Sequence, residues 1–244
     1  MPHLIYGKNA VLEAFESGVE IEKVFVLQSL RGELEVSLRN LCKDKNIPIS
    51  KVPEVKLNEL ARDKVHQGVV AYTSAIHYQD YTKLIASAFE SGHAPLFVVL
   101  DSVTDVRNIG AIARSAYFFG ADGLIISGNF TGRINEETVK ASSGAILKLP
   151  VARANSIFNL ISDLQSSGVQ IIATSLKATQ QPKDVDMTQP TALIMGSEDK
   201  GLHPKIYQVS DFDILIPGGE TFDSLNVSVA TGVLLYECQR QRLL

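Results

Sequence analysis

Residues 96–120 read LFVVLDSVTDVRNIGAIARSAYFFG, and the fold follows from this stretch. Leu96–Leu100 is an unbroken apolar run, rich in β-branched and aromatic residues, as expected of a strand buried on both faces. A polar turn, Asp101 to Asn108, follows it. Ile109, Ile112, Ala113, Ala116 and Phe119 then recur at helical spacing over Asn108–Phe119. Strand, polar turn and helix in that order are the opening of an α/β unit. Arg114 lies about 140° round the helix from Ile109, and Phe118 about 40° from Arg114. A large aromatic on that side predicts that the second face of the helix is covered as well, by another element or another subunit.

Downstream the alternation continues. Gly123–Ser127, Val169–Thr174, Ala192–Met195 and Phe212–Ile216 read as strands, and Ser156–Leu164 and Asn226–Gln239 as helices. The pattern predicts a mostly parallel sheet with helices on both faces. The final helix is apolar on every side and rich in β-branched residues of poor helix propensity, so packing must hold it, on more than one face. With Phe118, this predicts a dimer through the C-terminal domain. Upstream, residues 1–75 read α-β-α-β-α-β, a compact α/β unit. Residues 76–82 (IHYQDYT) lose periodicity and read as a linker, which leaves 83–244 as a second domain.

The totals are those of a globular protein: 244 residues, 45% hydrophobic and 20% charged. No apolar run approaches the roughly 20 residues that span a bilayer. The N-terminus lacks a signal-peptide layout, so a cytoplasmic protein with no membrane contact is expected. Cys42 and Cys238 lie far apart and read as small core residues. The net charge of −4 argues against non-specific polyanion binding. Residues 1–75 carry ten Lys and Arg against ten Asp and Glu, leaving thirteen against seventeen for the remainder. Any RNA site must therefore be a local patch.

Three loops each follow an expected strand: Asp101–Asn108, Gly196–Gly201 (GSEDKG) and Pro217–Asn226 (PGGETFDSLN). In a parallel sheet the strand C-termini share one edge, so these loops converge on one crevice. GSEDKG lacks the Lys-Ser/Thr of a P-loop, and no GxGxxG follows the first strand. The five histidines show no metal-ligand spacing. Gly196, Gly201, Gly218 and Gly219 allow backbone to approach a ligand. Ser224 and Asn226 stand at the mouth of the last helix, where free N–H groups need partners, and Ser224 alone reads as a plain N-cap. Glu198 alone reads as an exposed loop carboxylate. Spacing leads only to a small-ligand crevice in an α/β enzyme.

Residues 101–126, 192–202 (ALIMGSEDKGL) and 214–237 (ILIPGGETFDSLNVSVATGVLLYE) resemble, in order, the three signature motifs of the SpoU/TrmH family of RNA 2′-O-ribose methyltransferases. Residues 3–75 resemble the substrate-binding domain of its rRNA-modifying branch, a small ribosomal-protein-like α/β RNA binder. The resemblance implies a deep trefoil knot in the C-terminal sheet, a homodimer, and S-adenosylmethionine as methyl donor, with no metal. By position it implies a polar catalytic site of Asn108, Arg114, Glu198, Ser224 and Asn226. The donor would lie against Met195, Gly196, Gly201, Ile216, Ser224, Leu225 and Asn226. Residues 218–223 depart from the usual pattern, since Gly218 stands where relatives often carry an apolar residue. The substrate implied is a guanosine of 23S rRNA in the peptidyl-transferase region. Another rRNA site, a tRNA, or a non-catalytic role in RNA binding and ribosome assembly are the alternatives. Candidate RNA contacts are Lys8, Asn9, Arg62, Lys64 and His66, with Arg107, Arg133 and Lys140 from the second domain.

Overall fold

The structure is a computed structural model that describes residues 4–128, 132, 134–197, 199–219 and 224–243. It divides into two compact units, one of residues 1–77 with 133–136 and one of 78–132 with 137–244.

The first unit runs β1 (Leu4–Tyr6), α1 (Lys8–Glu16), β2 (Ile21–Leu27), α2 (Glu33–Asp44), β3 (Ile49–Val52), α3 (Glu54–Ala61) and β4 (Val69–Thr73). The sheet order is β1-β4-β2-β3, with β4 antiparallel to both neighbours and β2 parallel to β3. Strand β1 has no counterpart in the sequence reading, because three residues are too few to show a period. Alternation divides the strands between two faces. Val24, Val26, Val69 and Ala71 pack under α1 and α2, and Val70 with Phe25 packs under α3. Ile134, fully buried, donates its N–H to the buried Glu22 carboxylate at 3.2 Å, which ties residues 134–136 into this unit.

The second unit continues with β5 (Gln79–Asp80), α4 (Tyr81–Glu90), β6 (Leu96–Asp101), α5 (Val106–Phe118), β7 (Gly123–Ser127), α6 (Glu136–Ala141), β8 (Val151–Ala154), α7 (Ile157–Ser166), β9 (Gln170–Thr174), β10 (Thr191–Met195), α8 (Pro204–Val209), β11 (Phe212–Ile214) and α9 (Val227–Arg242). Residues 76–82 therefore hold a short strand and a helix start, capped by Asp80. The seven strands are ordered β11-β9-β10-β6-β7-β8-β5, and every pair is parallel. One face is buried under α4, α7 and α8. Helices α5 and α9 pack on one another, and α9 also meets β10. The chain moves outward from β6 to β8 and then fills the other side of β6 with β9 and β10. The winding reverses between β6 and β10, where ligands bind in sheets of this type.

Both cysteines are core residues: burial pushes the Cys42 and Cys238 thiols up to about 12. The end of α9 is clasped to the sheet edge. Arg242 donates to the carbonyls of Met187 (2.9 Å), Ala94 (2.7 Å), Gln189 (2.9 Å) and Pro95 (3.2 Å). Removing that fork leaves four carbonyls to find other partners. Arg242→Ala is expected to cost about 3 kcal/mol, lowering the melting temperature by roughly 5–10 °C in thermal unfolding. A melting temperature within about 1 °C of the parent would show the clasp to be idle.

Candidate active site

The C-terminal ends of β6 and β10 flank the reversal, and their loops carry the candidate site residues. Beyond β6, Asp101 is partly buried, which pushes its carboxyl above the usual range, while a bond from Ser102 and the nearby His203 oppose the shift. Ser102 adopts φ +61°, a left-handed conformation that a non-glycine residue holds only at a cost in strain. Asp105 caps α5, its side chain accepting from the Arg107 N–H at 2.8 Å. That places Asn108, half-buried, in the first turn of the helix.

Beyond β10, Ser197 and Gly201 come together. The Gly201 N–H donates to the Ser197 carbonyl at 2.8 Å, and the same two residues form an antiparallel bridge. Gly196 makes this possible. A Cβ there would stand 2.5 Å from the Gly201 carbonyl carbon and 2.7 Å from the Leu202 nitrogen. Both are backbone atoms, which cannot move aside cheaply.

The third segment reaches the site from the far edge of the sheet. After β11, Ile216 is half-buried and Leu225 is 49% exposed at the lip. Asn226, not Ser224, caps α9. Its Oδ1 accepts from the Ser228 N–H (2.9 Å) and hydroxyl (2.5 Å), while exposed Ser224 lies two residues before the cap. Because Oδ1 is spent on the cap, Nδ2 turns outward and donates to Asn108 Oδ1 at 3.2 Å. Residues 118 positions apart thus meet through one carboxamide pair. Asn226→Asp is expected to keep the cap, and so the melting temperature, while losing this bridge. Asn226→Ala loses both and costs about 1 kcal/mol of stability. Equal melting temperatures for the two variants would contradict the capping role.

Arg114 is exposed on α5, one turn before the exposed Phe118. Among the described residues, the side of α5 that carries Arg114 and Phe118 is left exposed. Phe118 packs edge-on against Phe119 (5.0 Å between centroids), and Phe119 against Tyr236 of α9 (6.4 Å). On α9, Val227, Thr231, Leu234, Leu235 and Cys238 are buried, while Val229, Val233 and Tyr236 are exposed. Among the described residues, one side of that helix is buried within the chain.

Glu198 and Arg133 lie outside the described residues, as do residues 220–223. Lys8, Asn9, Arg62, Lys64 and Lys140 are exposed. The Lys8 N–H donates to Gln67 Oε1 at 3.2 Å, which joins residues 7–9 to the 62–68 loop. Arg62, Asp63 and Gln67 all take left-handed φ in that loop. His66 is pinned inside it, since Nδ1 accepts from the Gly68 N–H (3.0 Å) and Nε2 faces Asn58 Oδ1 (2.9 Å). Its polar edge is used internally. Arg107 sits between Asp105 (3.4 Å) and Glu137 (3.9 Å), so it is partly neutralised. Sequence reasoning had no signal for either pairing, because both are made by residues that secondary structure brings together.

The comparisons with known proteins agree on the two units. Residues 95–236 match the SpoU rRNA Methylase family, and residues 4–79 match the family described as RNA 2′-O ribose methyltransferase substrate binding. A Bacillus subtilis protein named for the TrmH family of tRNA/rRNA methyltransferases is 34% identical over 98% of this chain and 95% of its own. The AdoMet complex of the SpoU methyltransferase AviRb from Streptomyces viridochromogenes superposes with a TM-score of 0.63 at 25% identity, over 98% of this chain and 90% of that one. An AdoMet-bound rRNA methyltransferase from Sinorhizobium meliloti gives 0.61 at 27% identity, over 97% and 86%.

Proposed function

Since the chain belongs to the SpoU methylase family and is an RNA methyltransferase that uses S-adenosylmethionine as methyl donor, we propose that it methylates a ribose 2′-hydroxyl of 23S rRNA, at a guanosine. The observation that carries this reading is the Asn226–Asn108 bond, which joins the segment after β11 to the first turn of α5. The N-terminal match to a substrate-binding domain favours a large structured RNA.

The site fits the donor. A nucleoside needs backbone groups close to its base and apolar surface on its faces. The Gly196–Gly201 turn offers the first, and Met195, Ile216 and Leu225 with Ser224 and Asn226 border the second. Bound S-adenosylmethionine supplies a methyl group on a sulfonium, an electrophile in its own right.

Arg114 has the other half of the task. The 2′-oxygen must lose its proton as the new O–C bond forms, and negative charge grows on it meanwhile. A guanidinium keeps its proton at physiological pH, so Arg114 acts as a donor that stabilises this oxygen and orients an RNA phosphate able to take up the proton. Asn108 and Asn226 hold the mouths of α5 and α9 in register, and the motif resemblance adds Ser224 and Glu198 to the polar set. Alignment of oxygen and methyl carbon supplies much of the acceleration.

Two further parts of the reading concern assembly. The apolar stripe of Val229, Val233 and Tyr236, exposed on α9, is suited to a second copy, giving a homodimer through the C-terminal unit. The trefoil knot is supported at two points. The Leu215 N–H donates to the Gln180 carbonyl at 2.8 Å just after β11, and Gln241 and Arg242 bond to the 182–190 segment, so the returning chain runs along the β9–β10 crossover at both ends. Lys8, Asn9, Arg62 and Lys64 are the first unit's exposed candidates for RNA contact, and Lys140 is a candidate within the second.

The test is ribose-methylation mapping on RNA from cells lacking this protein, with and without complementation. Loss and rescue of one 23S guanosine mark supports the proposal. A lost tRNA mark would support the second reading, which the B. subtilis relative's name leaves open.

A further inference from the structure

A groove of about 620 Å³ opens beside Arg114. Tyr117 and Phe118 of α5 line it, together with Ser143, Gly144 and Lys148, which follow α6. Two of its lining residues are cations and none is an acid. Among the described residues neither Arg114 nor Lys148 is joined to a carboxylate. The unit's other arginines are spent. Arg107 faces Asp105, Arg240 is bound to Glu237 at 2.8 Å, Arg153 donates to Tyr78 and Arg242 clasps carbonyls. In a chain of net charge −4, leaving two cations unpaired in one acid-free groove is informative.

Lys148 is also aimed. Its ammonium lies 6.0 Å from the centroid of the Tyr117 ring, an attraction that holds it against α5. The turn that carries it takes left-handed φ at two successive residues, Ser143 (+52°) and Gly144 (+80°). For Ser143 that conformation is strained, and strained turns recur where a group must be placed.

We propose that Lys148 and Arg114 together clamp one backbone phosphate of the RNA, next to the nucleotide being methylated, with Lys148 as a positioning residue. The planar fork of Arg114 suits two phosphate oxygens, and the Lys148 ammonium adds a compact point charge in the same groove. This rests on the RNA-methyltransferase reading above and adds the phosphate subsite to it.

The experiment compares the full-length parent with Lys148→Gln and Lys148→Arg. Binding of a fluorescein-labelled oligouridylate is followed by anisotropy across a salt series, with no methyl donor present. Lys148→Gln is expected to bind about ten-fold more weakly at low salt. Its log K against log[salt] slope is expected to be shallower by about 0.7, one phosphate contact on a single strand. Lys148→Arg restores most of both. S-adenosylmethionine affinity and mass in solution stay at parent values, and in methyl transfer to total RNA the loss falls on KM more than on kcat. A parent slope in Lys148→Gln, or a parent protein that does not bind the oligouridylate, overturns the clamp. So does a change of oligomeric mass that accounts for the weaker binding, since the groove would then serve contact between copies. A parent that binds this RNA with the Lys148-dependent slope yet methylates tRNA and not 23S rRNA would instead sink the function proposed above and leave the clamp standing.

Discussion

Arg114→Ala is expected to reduce methyl transfer by at least about 10²–10³-fold, while S-adenosylmethionine still binds with parent affinity. The direction follows from where the residue stands. Arg114 is exposed on α5, outside the buried stripe of Ile109, Ile112, Ala113 and Ala116, so its removal leaves no cavity and no orphaned partner. Stability should stay within about 0.5 kcal/mol of the parent. What is lost is a donor to an oxygen that becomes charged only as the reaction proceeds, which lowers kcat rather than donor affinity. Arg114→Lys separates charge from geometry. A lysine keeps the charge without the planar fork, so only partial recovery is expected. Single-turnover methyl transfer alongside calorimetric titration with the donor gives both numbers. An alanine variant that turned over near the parent rate would remove Arg114 from the mechanism.

Gly196→Ala is expected to have the opposite signature, with donor binding lost first. The added methyl would meet backbone of Gly201 and Leu202 at 2.5–2.7 Å, and no rotamer change relieves a clash with backbone. Opening the 196–202 turn by even a few tenths of an ångström breaks the Gly201–Ser197 bond and displaces Leu202 from the core face under α8. Overpacking of this kind costs about 1–3 kcal/mol. If the turn forms the donor pocket, that cost appears as roughly 10–100-fold weaker S-adenosylmethionine binding. Far-ultraviolet circular dichroism should remain that of the parent, because β10 and α8 on either side keep their own hydrogen bonds. Parent affinity in this variant would place the donor elsewhere.

Periodicity and composition carried much of the architecture. Leu96–Leu100, Gly123–Ser127 and Ala192–Met195 fall within the observed strands, since strands buried on both faces are continuous apolar runs with polar ends. Other elements were invisible for equally plain reasons. β8 is only VARA, with a partly charged composition, yet Arg153 is buried because its guanidinium lies over the Tyr78 ring at 4.0 Å and donates to its hydroxyl. β5 has two residues, and α8 six, below the length at which a period shows. Ser224 looked like the cap of the last helix because serine is a good cap, but the helix starts two residues later on Asn226.

The site divides along the same line. Local sequence determined that three polar, glycine-bearing loops follow three strands, and the motif resemblance named the residues on them. That Asn108 and Asn226 touch, that Gly196 has no room for a methyl, and that Lys148 shares a groove with Arg114 were decided by tertiary structure. The reason is chain distance. Helix and strand periods report on neighbours a few residues away, whereas the Asn108–Asn226 bond depends on β10 pairing beside β6 and on α9 packing against α5, arrangements that only the folded sheet imposes.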